Sequence, residues 1–171
     1  MIRFFQILFI ISITSIIVYS QDSINLKSLD ERTDKLMLIG FCDRTAFNDS
    51  AFSSWYDFEY NSYEPDSQAI IMLKESLHDY NIKIVLGTWC SDSRREVPRI
   101  LNVLDAVQYP DSLYTIVAVN RLKKGLSNEV DRLNIEFVPT FIVYKNNEEI
   151  GRIIETPITS LEKDLYNIIS K

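Results

Sequence analysis

Apolar residues along this chain alternate between compact β-branched runs and helical stripes. The first run, Lys35-Leu36-Met37-Leu38-Ile39-Gly40-Phe41, predicts a strand. Aromatics then crowd residues 43–63, and Phe52, Trp55 and Tyr56 share one face at i, i+3 and i+4, which predicts a core-facing helix. Pro65 closes it. Asp66 or Ser67 is placed to cap the next helix, whose apolar face is Ile70, Leu73, Leu77 and Tyr80. Ile82, Ile84, Val85 and Leu86 form a short run typical of a buried strand, ended by Gly87 and Thr88. A helix follows within a few residues, with Ser91 or Asp92 placed to cap it and Glu96 suited to its first turn. Ile100, Leu101, Val103, Leu104 and Val107 carry its stripe to the turn at Tyr109-Pro110-Asp111.

Tyr114 to Val119 predicts another buried strand, and the polar stretch from Arg121 to Asn134 predicts a loop with a short helix around Glu129 to Leu133. Phe141 to Tyr144 and Glu149 to Ile154 read as two strands joined tightly at Asn146-Asn147. Ile158, Leu161, Leu165, Ile168 and Ile169 give a last helix its apolar face. The order of these elements predicts an α/β fold. No internal repeat and no Gly-rich phosphate loop interrupts it.

The chemistry concentrates at the junction of the Ile82 strand with the helix after it, where Cys90 stands. The unpaired N–H groups and dipole of a first helical turn favour a thiolate over a thiol. Ser93 and Arg94, at i+3 and i+4, fall on the sulfur's side, whereas Asp92 projects away. Cys42 is open to two readings: an inert buried thiol, or a partner that resolves or bridges Cys90. His78 is the only histidine and lies outside any cluster of ligand spacing, so it reads as structural and no metal site is predicted.

Trp89-Cys90-Ser91-Asp92-Ser93 resembles the W-C-x-x-C active site of the thioredoxin superfamily with its second cysteine replaced by Ser93. Pro98 matches that family's helix proline, Phe137-Val138-Pro139-Thr140-Phe141 is similar to the segment carrying its cis-proline, and Tyr144 to Glu148 is similar to the hairpin after it. The resemblance covers roughly residues 80–170. It implies a thioredoxin-like fold, a central mixed sheet flanked by helices, here with an N-terminal helical extension. It also implies a cis bond before Pro139 that exposes Val138 backbone groups to a substrate strand beside Cys90, with Trp89 flanking the same groove. The family's buried acid falls at Ile84, so both that acid and the resolving thiol are replaced.

Two functions follow from this resemblance. The first is a monothiol thiol-disulfide oxidoreductase or isomerase, with Cys90 as nucleophile, Ser93 and Arg94 as its stabilisers, and Trp89, Val138 and Pro139 as the substrate groove. Its partners would be protein disulfides or small thiols such as glutathione, with no cofactor. The alternative is a redox-inactive binding module that holds a peptide or protein in the groove beside Pro139.

Composition narrows the setting. The 171 residues, 46% hydrophobic, suffice for one domain with a sizeable core, and a net charge of -6 with no basic stripe argues against a nucleic-acid partner. Arg3 precedes an apolar run from Phe4 to Val18, and Val18-Tyr19-Ser20 suits a signal peptidase. The division expected is a signal peptide at 1–20, a linker at 21–34 and a thioredoxin-like domain at 35–171, its strand and helices at 35–81 and its core with the active site at 82–171. A retained anchor is the alternative to cleavage, although the run is short for a span. The mature chain is accordingly expected to be extracytoplasmic, periplasmic or secreted, where disulfides persist.

Overall fold

The computed structural model describes residues 24–171. The expected signal peptide lies outside the described residues. Six strands form one sheet: β1 (Leu26–Leu29), β2 (Leu36–Cys42), β3 (Asn81–Leu86), β4 (Tyr114–Ala118), β5 (Thr140–Lys145) and β6 (Glu148–Ile154). Their order is β1-β2-β4-β3-β5-β6. Only β3 and β4 run parallel; the other neighbours are antiparallel. A parallel pair needs a long crossover, which α3 (Ser91–Ala106) supplies. The remaining helices are α1 (Ser53–Ser62), α2 (Ser67–Ser76) and α4 (Leu161–Ile169).

Strand periodicity sorts the apolar side chains into two clusters. Ile82, Ile84 and Leu86 point with Ile116, Ala118, Phe141 and Val143 into the larger one, to which all four helices contribute. Val85, Val117 and Val119 point the other way, where Val130, Val138, Leu133 and Ile135 meet them. The two sheet faces are thus covered differently, one by helices and the other by the segment between β4 and β5.

The aromatic stretch packs α1 onto α3. Phe47, from a 3-10 turn at Arg44–Asn48, stacks on Tyr56 at 4.8 Å and meets Trp55 edge-on at 5.8 Å. Arg99 on α3 donates through Nε and Nη2 to Glu59 at 2.8 and 2.6 Å. Asp66 caps α2 by accepting from the Gln68 and Ala69 N–H groups, both at 3.0 Å. The hairpin between β5 and β6 turns on Asn146 and Asn147, both at positive φ (52° and 66°), a conformation asparagine tolerates.

Four expectations are corrected. Within the expected linker, residues 26–29 form a strand: β1 pairs with β2 from Leu26↔Ile39 to Leu29↔Leu36. As an edge strand, β1 buries too little to show a pattern in the sequence. The short helix expected at Glu129 to Leu133 is a turn. Its few residues repay too little to nucleate a helix, and Val130 and Leu133 are drawn to the smaller cluster. Ile158 is 97% exposed, because the Asp164 carboxylate takes the Ile158 and Thr159 N–H groups and turns the chain before α4 begins. Neither Ser91 nor Asp92 caps α3; Cys90 itself occupies that position and makes no side-chain capping bond.

Buried Glu162 ties α4 to the connection between α1 and α2, accepting from the Tyr63 hydroxyl at 2.8 Å and the Asp66 N–H at 3.0 Å. Burial opposes its charged form, but the Asp66 N–H and the other donors prevail and hold the carboxyl below the usual glutamate value. A carboxyl with a lowered folded-state value stabilises fully above its unfolded value, and that contribution is lost as pH falls through the lowered one. Glu162→Gln is therefore expected to lower the melting temperature more at about pH 7 than at about pH 3. Equal losses at both, in thermal melts followed by circular dichroism, would contradict this account.

Candidate active site

The junction after β3 is built from backbone geometry first. The Cys90 N–H donates to the Gly87 carbonyl at 2.8 Å, and the Arg94 N–H donates to the Cys90 carbonyl at 3.1 Å, opening α3. Buried Thr88 accepts from the Leu38 N–H at 3.1 Å, so its hydroxyl joins this turn to β2. Glycine is required at 87 because a Cβ there would lie 2.6 Å from the Trp89 ring. The indole N–H of Trp89 donates to the Val119 carbonyl at 2.8 Å, which fixes the edge of the ring.

The half-buried Cys90 sulfur donates to the Val138 carbonyl at 3.1 Å. The Val138–Pro139 bond is cis, and both residues are buried at the entry to β5. Residues separated by nearly fifty positions thus meet at one sulfur. Phe137, 49% exposed, extends the same rim, with its carbonyl taken by the Thr140 hydroxyl at 2.8 Å.

Ser93 and Arg94 take other hydrogen-bond partners than the sulfur. Ser93 is fully buried and its Oγ accepts from the Gly87 N–H at 3.1 Å; Arg94 Nε donates to the Thr88 carbonyl at 2.6 Å. Both shape the turn that carries Cys90. The reason is local: Gly87 and Thr88, in the turn before α3 and six residues ahead of the side chains, offer a backbone donor and acceptor that bind the hydroxyl and the guanidinium. Asp92 pairs with Arg95 at 2.8 Å.

Cys42 is set apart from this site. It pairs across the sheet with Ile116, which in turn pairs with Ile84, so β4 lies between Cys42 and β3. Two strand spacings are about 10 Å, beyond the roughly 7 Å that a disulfide spans between Cα atoms. Cys90 also lies beyond the end of β3 and touches the β5 side. Both thiols are free, and burial pushes the Cys42 thiol up to about 12. Pairing of the two cysteines within this chain is therefore set aside. Ile84 is fully buried among apolar side chains. His78 is exposed, its Nε2 lying 3.3 Å from the Gln108 carbonyl. Among the described residues, no three His, Cys, Asp or Glu side chains are grouped to hold a metal.

One pair was not anticipated. Arg121, just past β4, donates through Nε and Nη2 to the two carboxylate oxygens of Asp30, each at 2.7 Å. Its guanidinium lies 4.9 Å from the centre of the Trp89 ring. Arg121 and the Thr33 hydroxyl hold the Asp30 carboxyl well below the usual carboxylate range. The sequence places Asp30 in a polar stretch and Arg121 in a loop, and nothing in their spacing joins them.

No family model matches the chain. Mitochondrial thioredoxin O1 of Arabidopsis thaliana is 32% identical over 76 residues, a match spanning 44% of this chain but only 37% of that protein. The structure of PA1234, a protein of unknown function from Pseudomonas aeruginosa, aligns with a TM-score of 0.54 at 14% identity, covering 75% of this chain and 89% of its own. Arabidopsis thaliana thioredoxin O2 in its oxidised state aligns with a TM-score of 0.41 at 24% identity, covering 60% and 84%. The parallel β3-α3-β4 unit, the β5–β6 hairpin and the closing α4, in that order around Cys90 and Pro139, make this a thioredoxin-like fold.

Proposed function

We propose that the chain is an extracytoplasmic thiol-disulfide oxidoreductase or isomerase of monothiol type, acting through Cys90. The observation that carries this reading is a half-buried thiol at the start of α3 whose sulfur lies 3.1 Å from the Val138 carbonyl, beside Pro139. The match to a thioredoxin over part of the chain supports the same chemistry. The N-terminal pattern at residues 1–20 supports an oxidising compartment.

In the reaction, the Cys90 thiolate attacks one sulfur of a substrate disulfide. A bond from Cys90 to that sulfur forms, the substrate S–S bond breaks, and the other substrate sulfur leaves as a thiolate. Trp89, Val138 and Pro139 wall the approach, and Ser93 and Arg94 hold the turn that presents the sulfur. A serine hydroxyl is too weak an acid to displace the mixed disulfide. An external thiol such as glutathione completes the exchange: one thiolate attacks the Cys90 sulfur and the substrate sulfur leaves as thiolate, and a second attacks the glutathione sulfur now bound to Cys90, so that oxidised glutathione forms and Cys90 leaves as thiolate. The two electrons that reduce the substrate come from these two thiols, which leave joined as a disulfide.

Incubation of the protein with oxidised glutathione tests this. The expected product is one glutathionyl adduct, mapped to Cys90 by peptide mass spectrometry and removed by added thiol, with Cys42 unmodified because its thiol is desolvated. Absence of any adduct at Cys90 would overturn the redox reading and favour the binding module that holds a peptide beside Pro139.

A further inference from the structure

The hairpin of β1 and β2 reaches the site from a part of the chain that its composition marks as a polar arm. Asp30 organises the turn of that hairpin. Its N–H donates to the Lys35 carbonyl at 2.8 Å, and its own carbonyl accepts from Thr33 and Asp34 at 3.1 and 2.8 Å. Its carboxylate, on a residue only 2% exposed, takes the Arg121 fork on both oxygens. Burying a carboxylate is costly unless it is paired, and a two-point fork fixes the plane of the guanidinium as a single bond cannot. The guanidinium carbon lies 4.9 Å over the ring of Trp89, whose indole is already fixed by Val119 at its edge and crowded by Gly87.

We propose that Asp30 and Arg121 are positioning residues of the active site: Asp30 clamps Arg121 over Trp89, which sets the wall past which a disulfide approaches Cys90. This rests on the redox reading above and adds the β1–β2 hairpin to the machinery. A lysine keeps the charge but cannot make the fork.

The test uses Arg121→Met, Arg121→Lys and Asp30→Asn, with Arg99→Met, which breaks the partly buried pair with Glu59 between α1 and α3, as the control for loss of an ion pair away from the site. The rate of mixed-disulfide formation with a peptide disulfide is measured together with the emission of Trp89 in a Trp55→Phe background. Arg121→Met is expected to slow exchange about tenfold, the scale of a lost cation–π contact that frees the Trp89 wall. Arg121→Lys and Asp30→Asn are expected to slow it several-fold and to shift Trp89 emission, whereas Arg99→Met changes neither. Native rates and emission in all three clamp variants would overturn the proposal, as would full rescue by lysine. The emission reading does not depend on turnover, so an inactive native protein with a shifted Trp89 signal would sink the redox reading and leave the clamp standing.

Discussion

Serine in place of Cys90 is expected to bring disulfide exchange down to the uncatalysed rate, and cysteine in place of Ser93 is expected to raise protein-disulfide reduction about tenfold or more. The first change removes the only group at the site able to form the mixed disulfide; loss of a covalent nucleophile costs on the order of a thousandfold or more. The second installs a thiol three residues on from Cys90. Release of the mixed disulfide then becomes intramolecular, at an effective thiol concentration in the millimolar range or above. Something is lost in exchange: sulfur is a poorer acceptor than oxygen, so the Gly87 N–H loses most of a buried hydrogen bond, about 1 kcal/mol. Insulin reduction driven by a dithiol, compared across the native chain, Cys90→Ser, Ser93→Cys and the double variant, reads both. The double variant is expected to be inactive, because the new thiol resolves a bond that only Cys90 can form. Equal rates in the native chain and Cys90→Ser would remove Cys90 from the mechanism.

Phe141→Ala is expected to destabilise the fold by about 3–5 kcal/mol and lower its melting temperature by roughly 10–15 °C. Phe141 is 0% exposed on β5, paired with Ile84 on one side and Ile153 on the other, and it fills the larger cluster beneath the helices. Truncation removes most of a ring from the interior where strands on both sides hold the backbone in place, so the space left cannot close. Chemical denaturation with a shared slope measures the loss directly. A change under about 1 kcal/mol would mean that the core around β5 is less tightly packed than the burial of Phe141 implies.

How much of this is readable from sequence depends on how local each signal is. β3, β4 and β5 announce themselves because their side chains are buried on both faces, so β-branched residues run on without interruption. Cys90 and Pro139 are readable because each sits in a short motif whose neighbours are adjacent in the chain. β1 is silent: of Leu26 to Leu29, only Leu26 is even partly buried. Helical spacing places Ser93 and Arg94 on the side of the sulfur, and it says nothing of the Gly87 and Thr88 backbone groups that claim them. The meeting of Asp30 with Arg121 is set by the register of β2 against β4, a tertiary fact with no trace in spacing.

The uneven covering of the sheet has a consequence for how the molecule comes apart. With every helix packed into the larger cluster, the opposite face is guarded by residues 119–139, whose internal main-chain bonds are a few local ones, such as Lys123 to Asn120 at 2.9 Å and Leu133 to Val130 at 3.0 Å. Peeling this segment away exposes only Val85, Val117 and their few neighbours and leaves the helical layer intact. Partial opening on that side therefore costs far less free energy than global unfolding. Because the same segment carries Arg121 and Val138, each such excursion would dismantle and rebuild the surroundings of the sulfur while the rest of the domain stays folded.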